Sequence, residues 1–450
     1  MKSSADGLTP SEPHQFALLQ QPRFGPFFWT QFCGAANDNL FKFAFTVMVT
    51  YQLSVSWLPV SLAGLVIGAI FILPFLLFSA TSGQLAEKYG HAALMRFVKN
   101  LEIGIMAIAA LGFVFHNAAA LLVCIFLMGL HSTLFSPAKF AYLPRVLSES
   151  ELTGGNGLVE MGTFVAILLG NMVGGILVTF PAIGHACVAM SCLMLAFIGR
   201  WMSGRIPALD ATNPSLRINW NPITETLHNL RLAFANTTIF RTLIGISWMW
   251  FFGAVFLSQF PSFTKEILHG DAQVASLLLV LFSIGIGMGS LLCETLSRGH
   301  VEIGLSPLGA MGMTLFAVDL YFASTQLPNV GSMDIAGFVA QSAHWRVMAD
   351  LVLLSLSAGI YSVPMYALVQ LECKPSECAR IIATNNIINA LFMIASAVIA
   401  GAMLGNGMTI SEVILWTGIA NAVVTLAVFV SEPRYLLRFW QWTKLLVLAK

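Results

Sequence analysis

The chain has 450 residues, of which 57% are hydrophobic and only 10% are charged, and its mean hydropathy is +0.80. A soluble globular domain carries about 25% charged residues, so this composition excludes a soluble protein and predicts an integral membrane protein. The formal net charge of +1 gives no indication of a nucleic-acid partner, and we expect none.

The first 25 residues differ from the rest of the chain because they are polar and contain three prolines. They lack the basic start, the short apolar core and the small-residue cleavage site of a signal peptide. We therefore predict that residues 1–25 form a disordered cytoplasmic tail that the protein retains.

Twelve apolar stretches follow, and each approaches the ~20 residues that a transmembrane helix requires. They are 27–53, 60–83, 97–115, 118–136, 157–180, 183–202, 240–262, 274–293, 304–325, 347–371, 381–404 and 411–431. We expect an all-α membrane protein with an N-terminal six-helix half at 26–202 and a C-terminal six-helix half at 239–431. Residues 203–238 are the one long polar stretch between spans and predict a cytoplasmic linker with a short helix at 222–236. Residues 432–450 predict a basic amphipathic cytoplasmic tail.

The placement of Lys and Arg predicts the orientation. Of the 22 Lys and Arg residues, all but Lys42, Lys265 and Arg346 fall on the side that holds the N-terminus, Lys99 and Lys139 included. Basic residues are concentrated on the cytoplasmic side of membrane proteins. We therefore expect both termini in the cytoplasm.

The first span carries a polar cluster midway along an otherwise apolar stretch. Asp38 and Lys42 are four residues apart and share one face of a helix, and Asn37 and Asn39 flank the acid. An ionised group at this depth costs roughly 2.5–3.5 kcal/mol on insertion scales unless it meets a cavity or a partner. The cluster predicts a translocation path, and the alternative is a closed ion pair that holds this span against a neighbour.

The loop after the second span has the order Gly, apolar, acid, base, Gly, at Gly83, Glu87, Lys88 and Gly90. A degraded copy of this pattern follows the eighth span at 289–299, and internal repeats of this kind are common in secondary transporters. With six spans on each side of a linker, the chain resembles the major facilitator superfamily. The resemblance implies that these four residues gate the cytoplasmic face. The alternative is a tight turn that only maintains the topology.

Four strings add a closer resemblance, at residues 36–39, 136–139, 156–160 and 170–175. Together they are similar to the bacterial lysophospholipid transporter family over about 25–432. The resemblance implies a flippase of the bacterial inner membrane. It would move lysophospholipids such as lysophosphatidylethanolamine from the outer to the inner leaflet. An acyltransferase and acyl-carrier-protein ligase partner, fused in some members, would then re-acylate them.

No enzyme activity is predicted. No His is followed by Asp five residues later, as the acyltransferase motif requires. The seven cysteines predict neither a disulfide framework nor a metal site. Five of them lie in apolar spans, and the spacing of Cys373 and Cys378 fits no common zinc site. We expect no cofactor.

Several side chains suit a lysophospholipid headgroup, whose phosphate needs a cation and whose amine needs a carboxylate. Asp38 and Lys42 offer both, with Asn37 and Asn39 as neutral donors and acceptors. At the cytoplasmic mouth, Lys139 is expected to meet phosphate, with a plain snorkelling lysine as the alternative. Glu160 is interpreted as its counter-ion or as part of the gate.

The second half offers fewer charges. Asn385 and Asn389 are predicted to face the substrate from the eleventh span. In the resembled family an arginine is expected near the end of the seventh span, but Gln259 stands there and is the residue of this span that is predicted to bind substrate. This difference leaves Lys42 as the expected partner of Asp38. Asp319 is expected to be protonated or paired across helices.

A proton-coupled exporter of drugs or small metabolites is the alternative function within the same fold. Asp38, Glu160 or Asp319 would then carry the proton. A membrane enzyme of lipid remodelling is disfavoured, since no span shows a nucleophile motif or a His/Asp pair.

Overall fold

The computed structural model describes residues 15–51, 60–327 and 331–448. Apart from one bridge between Gly270 and Met333, the regular structure of these residues is helical. The helices are α1 (Gly25–Tyr51), α2 (Val60–Tyr89), α3 (His91–Val114), α4 (Ala118–Val146), α5 (Glu149–Val178), α6 (Gly184–Ser203), α7 (Pro222–Ala235), α8 (Thr237–Ser262), α9 (Ala272–Ser297), α10 (Leu305–Thr325), α11 (Ile335–Ala340), α12 (Ser342–Glu372), α13 (Cys378–Gly405), α14 (Ile410–Ser431) and α15 (Arg434–Leu448).

Eleven of these helices are long and apolar enough to cross a membrane, by length and composition. The 27-residue helix α1 also has the length to cross it. Its polar cluster around Asp38 makes it less apolar than the others. The three remaining helices, α7, α11 and α15, have 14, 6 and 15 residues. The helix α7 agrees with the short helix predicted at 222–236.

The long helices pack as two groups. In the first, α1 packs against α5 and α6, α2 against α4, and α3 against α4 and α6. In the second, α12 packs against α9 and α10, α10 against α14, and α13 against α8. The groups meet through α5 with α9 and through α2 and α4 with α13.

Glycines allow close approach of α5 to α1. A Cβ atom on Gly170 would lie 2.4 Å from the Ala36 carbonyl oxygen, and one on Gly174 would lie 2.5 Å from the Leu40 carbonyl oxygen. Spacing small residues four apart brings helix backbones together in membranes. This packing sets the height of the Asp38 segment, which lies between the two contact points.

Residues 15–25 correct the prediction of a disordered tail. Gln15–Gln20 form a 3₁₀ helix in which Gln15 and Leu18 are buried. Gln15 Nε2 donates to the Leu291 carbonyl oxygen at 3.0 Å, and Arg23 forms an ion pair with Glu151 at 2.5 Å. This segment is ordered because it is fixed at the contact of α5 with α9. Residues 1–14 of the predicted tail lie outside the described residues.

Two further features lie in the C-terminal part of the chain, one in the turn before α13 and one after α14. Cys373 and Cys378 form a disulfide across the turn between α12 and α13, so the prediction of no disulfide is wrong at this pair. After α14, the amphipathic helix α15 docks one face on the bundle. Trp442 Nε1 donates to the Leu296 carbonyl oxygen at 2.9 Å, and Arg438 pairs with Glu302 at 2.8 Å.

Candidate functional site

A cavity of about 360 Å³ lies between the two groups of helices. Its charged lining residues all come from the first group: Asp38, Lys42, Lys99, Lys139 and Glu160. The second group contributes Trp250, Tyr366, Asn386, Asn389, Ala390 and Met393. Much of the remaining wall is apolar and aromatic: Phe71, Ile72, Phe75, Phe135, Phe140, Phe164 and Ile167. The cavity therefore combines opposite charges with an apolar surface.

Asp38 and Lys42 both line this cavity, but not as a pair. The hydroxyl of Ser132 on α4 donates to Asp38 Oδ2 at 2.5 Å. Lys42 Nζ lies 4.3 Å from the centroid of the Phe71 ring. No ion pair joins these two residues, both of which lie in the described part of the chain. Lys42 is therefore not the hydrogen-bond partner of Asp38, although the charges of the two residues still act on each other.

Lys139 and Glu160 line the cavity nearer to the end of the bundle that holds the turns at 89–91, 146–149, 297–305 and 373–378. We call this end the basic end. Lys139 Nζ lies 4.6 Å from the Phe140 ring centroid. No direct ion pair connects the two described side chains, but their charges act on each other across the cavity.

Three predicted substrate residues do not line the cavity. Asn37 turns away from it and donates to Glu102 Oε1 at 2.7 Å. Gln259 lies near the opposite end of α8 and donates to Ser258. Asn385 is buried beside the cavity, while Asn386 and Asn389, three residues apart on one helix face, reach it. Asn39 does line the cavity, and its amide also donates to the Ala35 carbonyl oxygen.

The buried pair of Lys99 and Glu102 was not predicted from the sequence. Lys99 Nζ lies 2.5 Å from Glu102 Oε2, and both side chains are at most 1% exposed. His131 Nε2 lies 3.2 Å from the same carboxylate oxygen. The assignment of Lys99 to the cytoplasmic side is therefore wrong. The signal was present, since the two residues are three apart within the predicted apolar span 97–115.

Asp319 is paired across helices, one of the two predicted outcomes. Arg346 on α12 donates from Nε to Asp319 Oδ2 at 3.0 Å. Neither residue lines the cavity. This position removes Asp319 from the groups that could meet a substrate directly.

At the basic end, Gly83 and Glu87 join the two groups of helices. A Cβ on Gly83 would lie 2.8 Å from the Arg380 Cα. Arg380 Nε donates to Glu87 Oε2 at 2.8 Å, and its backbone amide donates to Glu87 Oε1 at 3.2 Å. Lys88 makes a different contact, with its Nζ 5.8 Å from the ring of the adjacent Tyr89. Gly90 has φ +85° and starts α3 beside the Leu209 carbonyl oxygen.

Further contacts join the two groups of helices at this end. Asn156 Nδ2 donates to Gln370 Oε1 at 2.6 Å, and the rings of Phe140 and Tyr366 stack with centroids 4.8 Å apart. Both rings also line the cavity. We call this stacked pair of rings the floor of the cavity. The Asn156–Gln370 and Glu87–Arg380 contacts also join the two groups at the basic end.

Comparison with known proteins agrees with this architecture. The sequence profile of the Major Facilitator Superfamily matches residues 27–397. Lysophospholipid transporter LplT of Serratia proteamaculans (strain 568) is 26% identical over 371 residues, which cover 79% of this chain and 82% of that protein. A protein of the same name from Escherichia coli O157:H7 (strain EC4115 / EHEC) is 27% identical over 368 residues, with the same shares covered.

Among solved structures, the proton:xylose symporter XylE bound to 6-bromo-6-deoxy-D-glucose superposes with a TM-score of 0.67. The match covers 92% of this chain and 94% of the symporter, at 12% identity. At this identity the likeness concerns the fold alone.

Proposed function

Because this chain belongs to the Major Facilitator Superfamily, we propose that it is a lysophospholipid flippase of the bacterial inner membrane. The observation that carries the proposal is the cavity between the two groups of helices. It presents carboxylates and amines beside an aromatic wall, as a molecule with a charged headgroup and one acyl chain requires. The similarity to proteins named lysophospholipid transporter supports the same substrate class.

The headgroup of lysophosphatidylethanolamine has an ammonium and a phosphate. In the proposed complex, Asp38 accepts from the ammonium, and Lys42 and Lys139 are cations available to the phosphate. Glu160, Asn39 and Asn389 complete the polar lining. The acyl chain lies against apolar side chains such as Phe71, which leaves the polar groups to the headgroup.

We propose that the basic end faces the cytoplasm, since basic residues are concentrated on that side of membrane proteins. The lysophospholipid then enters from the outer leaflet and leaves toward the inner leaflet when the contacts around Glu87 and Arg380 separate. An acyltransferase and acyl-carrier-protein ligase would act on the delivered lipid as a separate partner. The protein itself carries out transport and no covalent step.

The experiment measures movement of radiolabelled lysophosphatidylethanolamine in proteoliposomes that contain the purified full chain. Asp38→Asn should reduce transport at least tenfold, because an amide cannot balance the ammonium charge. Asp334→Asn is the matched control, since Asp334 is an exposed helix-capping acid that an asparagine can replace. Equal transport by the Asp38 variant and the control would overturn the assignment of Asp38.

The same vesicles test the alternative of a proton-coupled exporter, which Asp38 and Glu160 could support because both carboxyl groups reach the cavity. Under an imposed proton gradient, uptake of a hydrophobic cation without any movement of lysolipids would favour the exporter. Lysolipid movement that the cation does not inhibit would favour the flippase.

A further inference from the structure

Three ionisable side chains form a closed cluster beside the cavity. The Glu102 carboxylate lies 2.5 Å from Lys99 Nζ, 3.2 Å from His131 Nε2 and 2.7 Å from Asn37 Nδ2. Buried charges are costly even when they are paired, and replacing a buried pair by apolar residues is often neutral or stabilising. Ionisable residues at membrane depth are therefore most simply explained by a role in function.

The cluster fixes two helices with respect to each other. Asn37 and His131 contact Glu102, and their sequence neighbours, Asp38 and Ser132, bond to each other at the cavity wall. One residue of each adjacent pair thus faces the cluster and the other faces the cavity. Glu102 of α3 thereby sets the height of α1 against α4.

The Lys99 ammonium has more N–H donors than the acceptors it contacts. Its ammonium carries three N–H groups, and among the described residues Glu102 is the one hydrogen-bond acceptor that Nζ contacts. Nζ also lies 5.5 Å from the centroid of Phe135, a cavity residue. An amine that already holds its counter-ion and still reaches the cavity can bind a second anion.

Gly34 leaves room for this buried amine at the cavity wall. Gly34 and Lys99 both line the cavity, and a Cβ on Gly34 would lie 2.6 Å from Lys99 Nζ and 3.9 Å from His131 Cε1. Any side chain at position 34 would displace the amine or cover it. The missing side chain of Gly34 therefore allows the buried amine to lie at the cavity wall.

We propose that Lys99 and His131 form an anion subsite for the phosphodiester of the lysophospholipid headgroup, next to the carboxylate of Asp38. This inference rests on the proposed function and narrows it, because it places the phosphate at Lys99 rather than at Lys42 or Lys139. Glu102 balances Lys99 while the subsite is empty and holds both donors in place. A zwitterionic headgroup then finds its two binding partners on adjacent turns of the cavity wall.

The test measures binding of radiolabelled lysophosphatidylethanolamine, and of a monoacylglycerol with the same acyl chain, to the purified full chain in detergent. Gly34→Ala covers Lys99 but leaves every charge in place. Lys99→Gln/Glu102→Gln removes both charges together, so that neither is left unpaired. Gly104→Ala is the control, because Gly104 lies on the same helix as Lys99 and a Cβ there meets no atom within 4 Å.

We expect Gly34→Ala and the double variant to weaken lysophosphatidylethanolamine binding about ten- to hundredfold, as for a lost hydrogen bond to a charged group. Binding of the monoacylglycerol, which has no phosphate, should stay within about twofold. Unchanged lysolipid affinity in a folded variant, or an equal loss for both ligands, overturns the subsite. If the double variant does not fold, Gly34→Ala decides alone, since its closest contact is the flexible end of a side chain. A wild-type protein that binds no lysolipid would instead refute the proposed function itself.

Discussion

The ion pair between Glu87 and Arg380 makes a quantitative prediction about opening of the basic end. Both side chains are at most 9% exposed, and the carboxylate accepts from Nε and from the backbone amide of Arg380. Glu87→Gln keeps the size of the side chain but removes its charge. It leaves the guanidinium buried without a counter-ion.

In the proposed opening of the basic end the two groups of helices separate, so the cost of this change falls on the closed arrangement. Hydrogen bonds to charged groups contribute about 1.5–3 kcal/mol, and breaking a buried pair costs about 3–5 kcal/mol. A loss near 3 kcal/mol shifts the equilibrium toward the open arrangement by about a hundredfold.

Hydrogen exchange of backbone amides measures this shift. We expect exchange at residues 80–89 and 376–386 to accelerate by up to about a hundredfold in Glu87→Gln. The control is Lys88→Gln, which removes the charge of the next residue. Lys88 contacts the ring of the adjacent Tyr89. Equal exchange in Glu87→Gln and wild type, or an equal acceleration in Lys88→Gln, would refute the reasoning.

Three further changes test the packing around the site. Gly174→Val should lower the thermal stability in detergent by about 1–3 kcal/mol, because its Cβ would lie 2.5 Å from the Leu40 carbonyl oxygen; Gly401→Val, with open space around it, should not. Asn156→Leu should accelerate exchange at the basic end by about tenfold, because it removes the bond to Gln370. Trp442→Phe should destabilise docking of α15 by about 0.5–1.5 kcal/mol, measured as faster proteolysis after Arg434, because it removes the bond to Leu296.

Much of the fold could be predicted from composition. The stretch 411–431 nearly coincides with α14, and the predicted helix at 222–236 is α7. A membrane-spanning helix must be apolar over about 20 residues, so its position along the chain is visible without knowledge of its neighbours. The ends of several helices were less predictable. The helix α4 continues to Val146, ten residues beyond the predicted span, with Pro137 and Pro144 inside it.

The site was only partly predictable because the sequence does not show which side of a helix faces which neighbouring helix. Asp38 lines the cavity, but its neighbour Asn37, predicted to share its role, faces Glu102 instead. Adjacent residues on a helix point about 100° apart, so each assignment depends on which neighbouring helix lies there. Glu102 illustrates the same limit, since its partners come from α1, α3 and α4.

The stacked floor of Phe140 and Tyr366 has a consequence for the membrane potential of a cell that contains this protein. A lysolipid is a detergent, and a pathway wide enough for it would also pass protons and small ions if it were open at both ends. The stacked rings and the Glu87–Arg380 pair join the two groups of helices at the basic end. In the proposed transport cycle, these contacts limit the leak of ions through the protein, so that the membrane potential persists while lysolipid occupies the cavity.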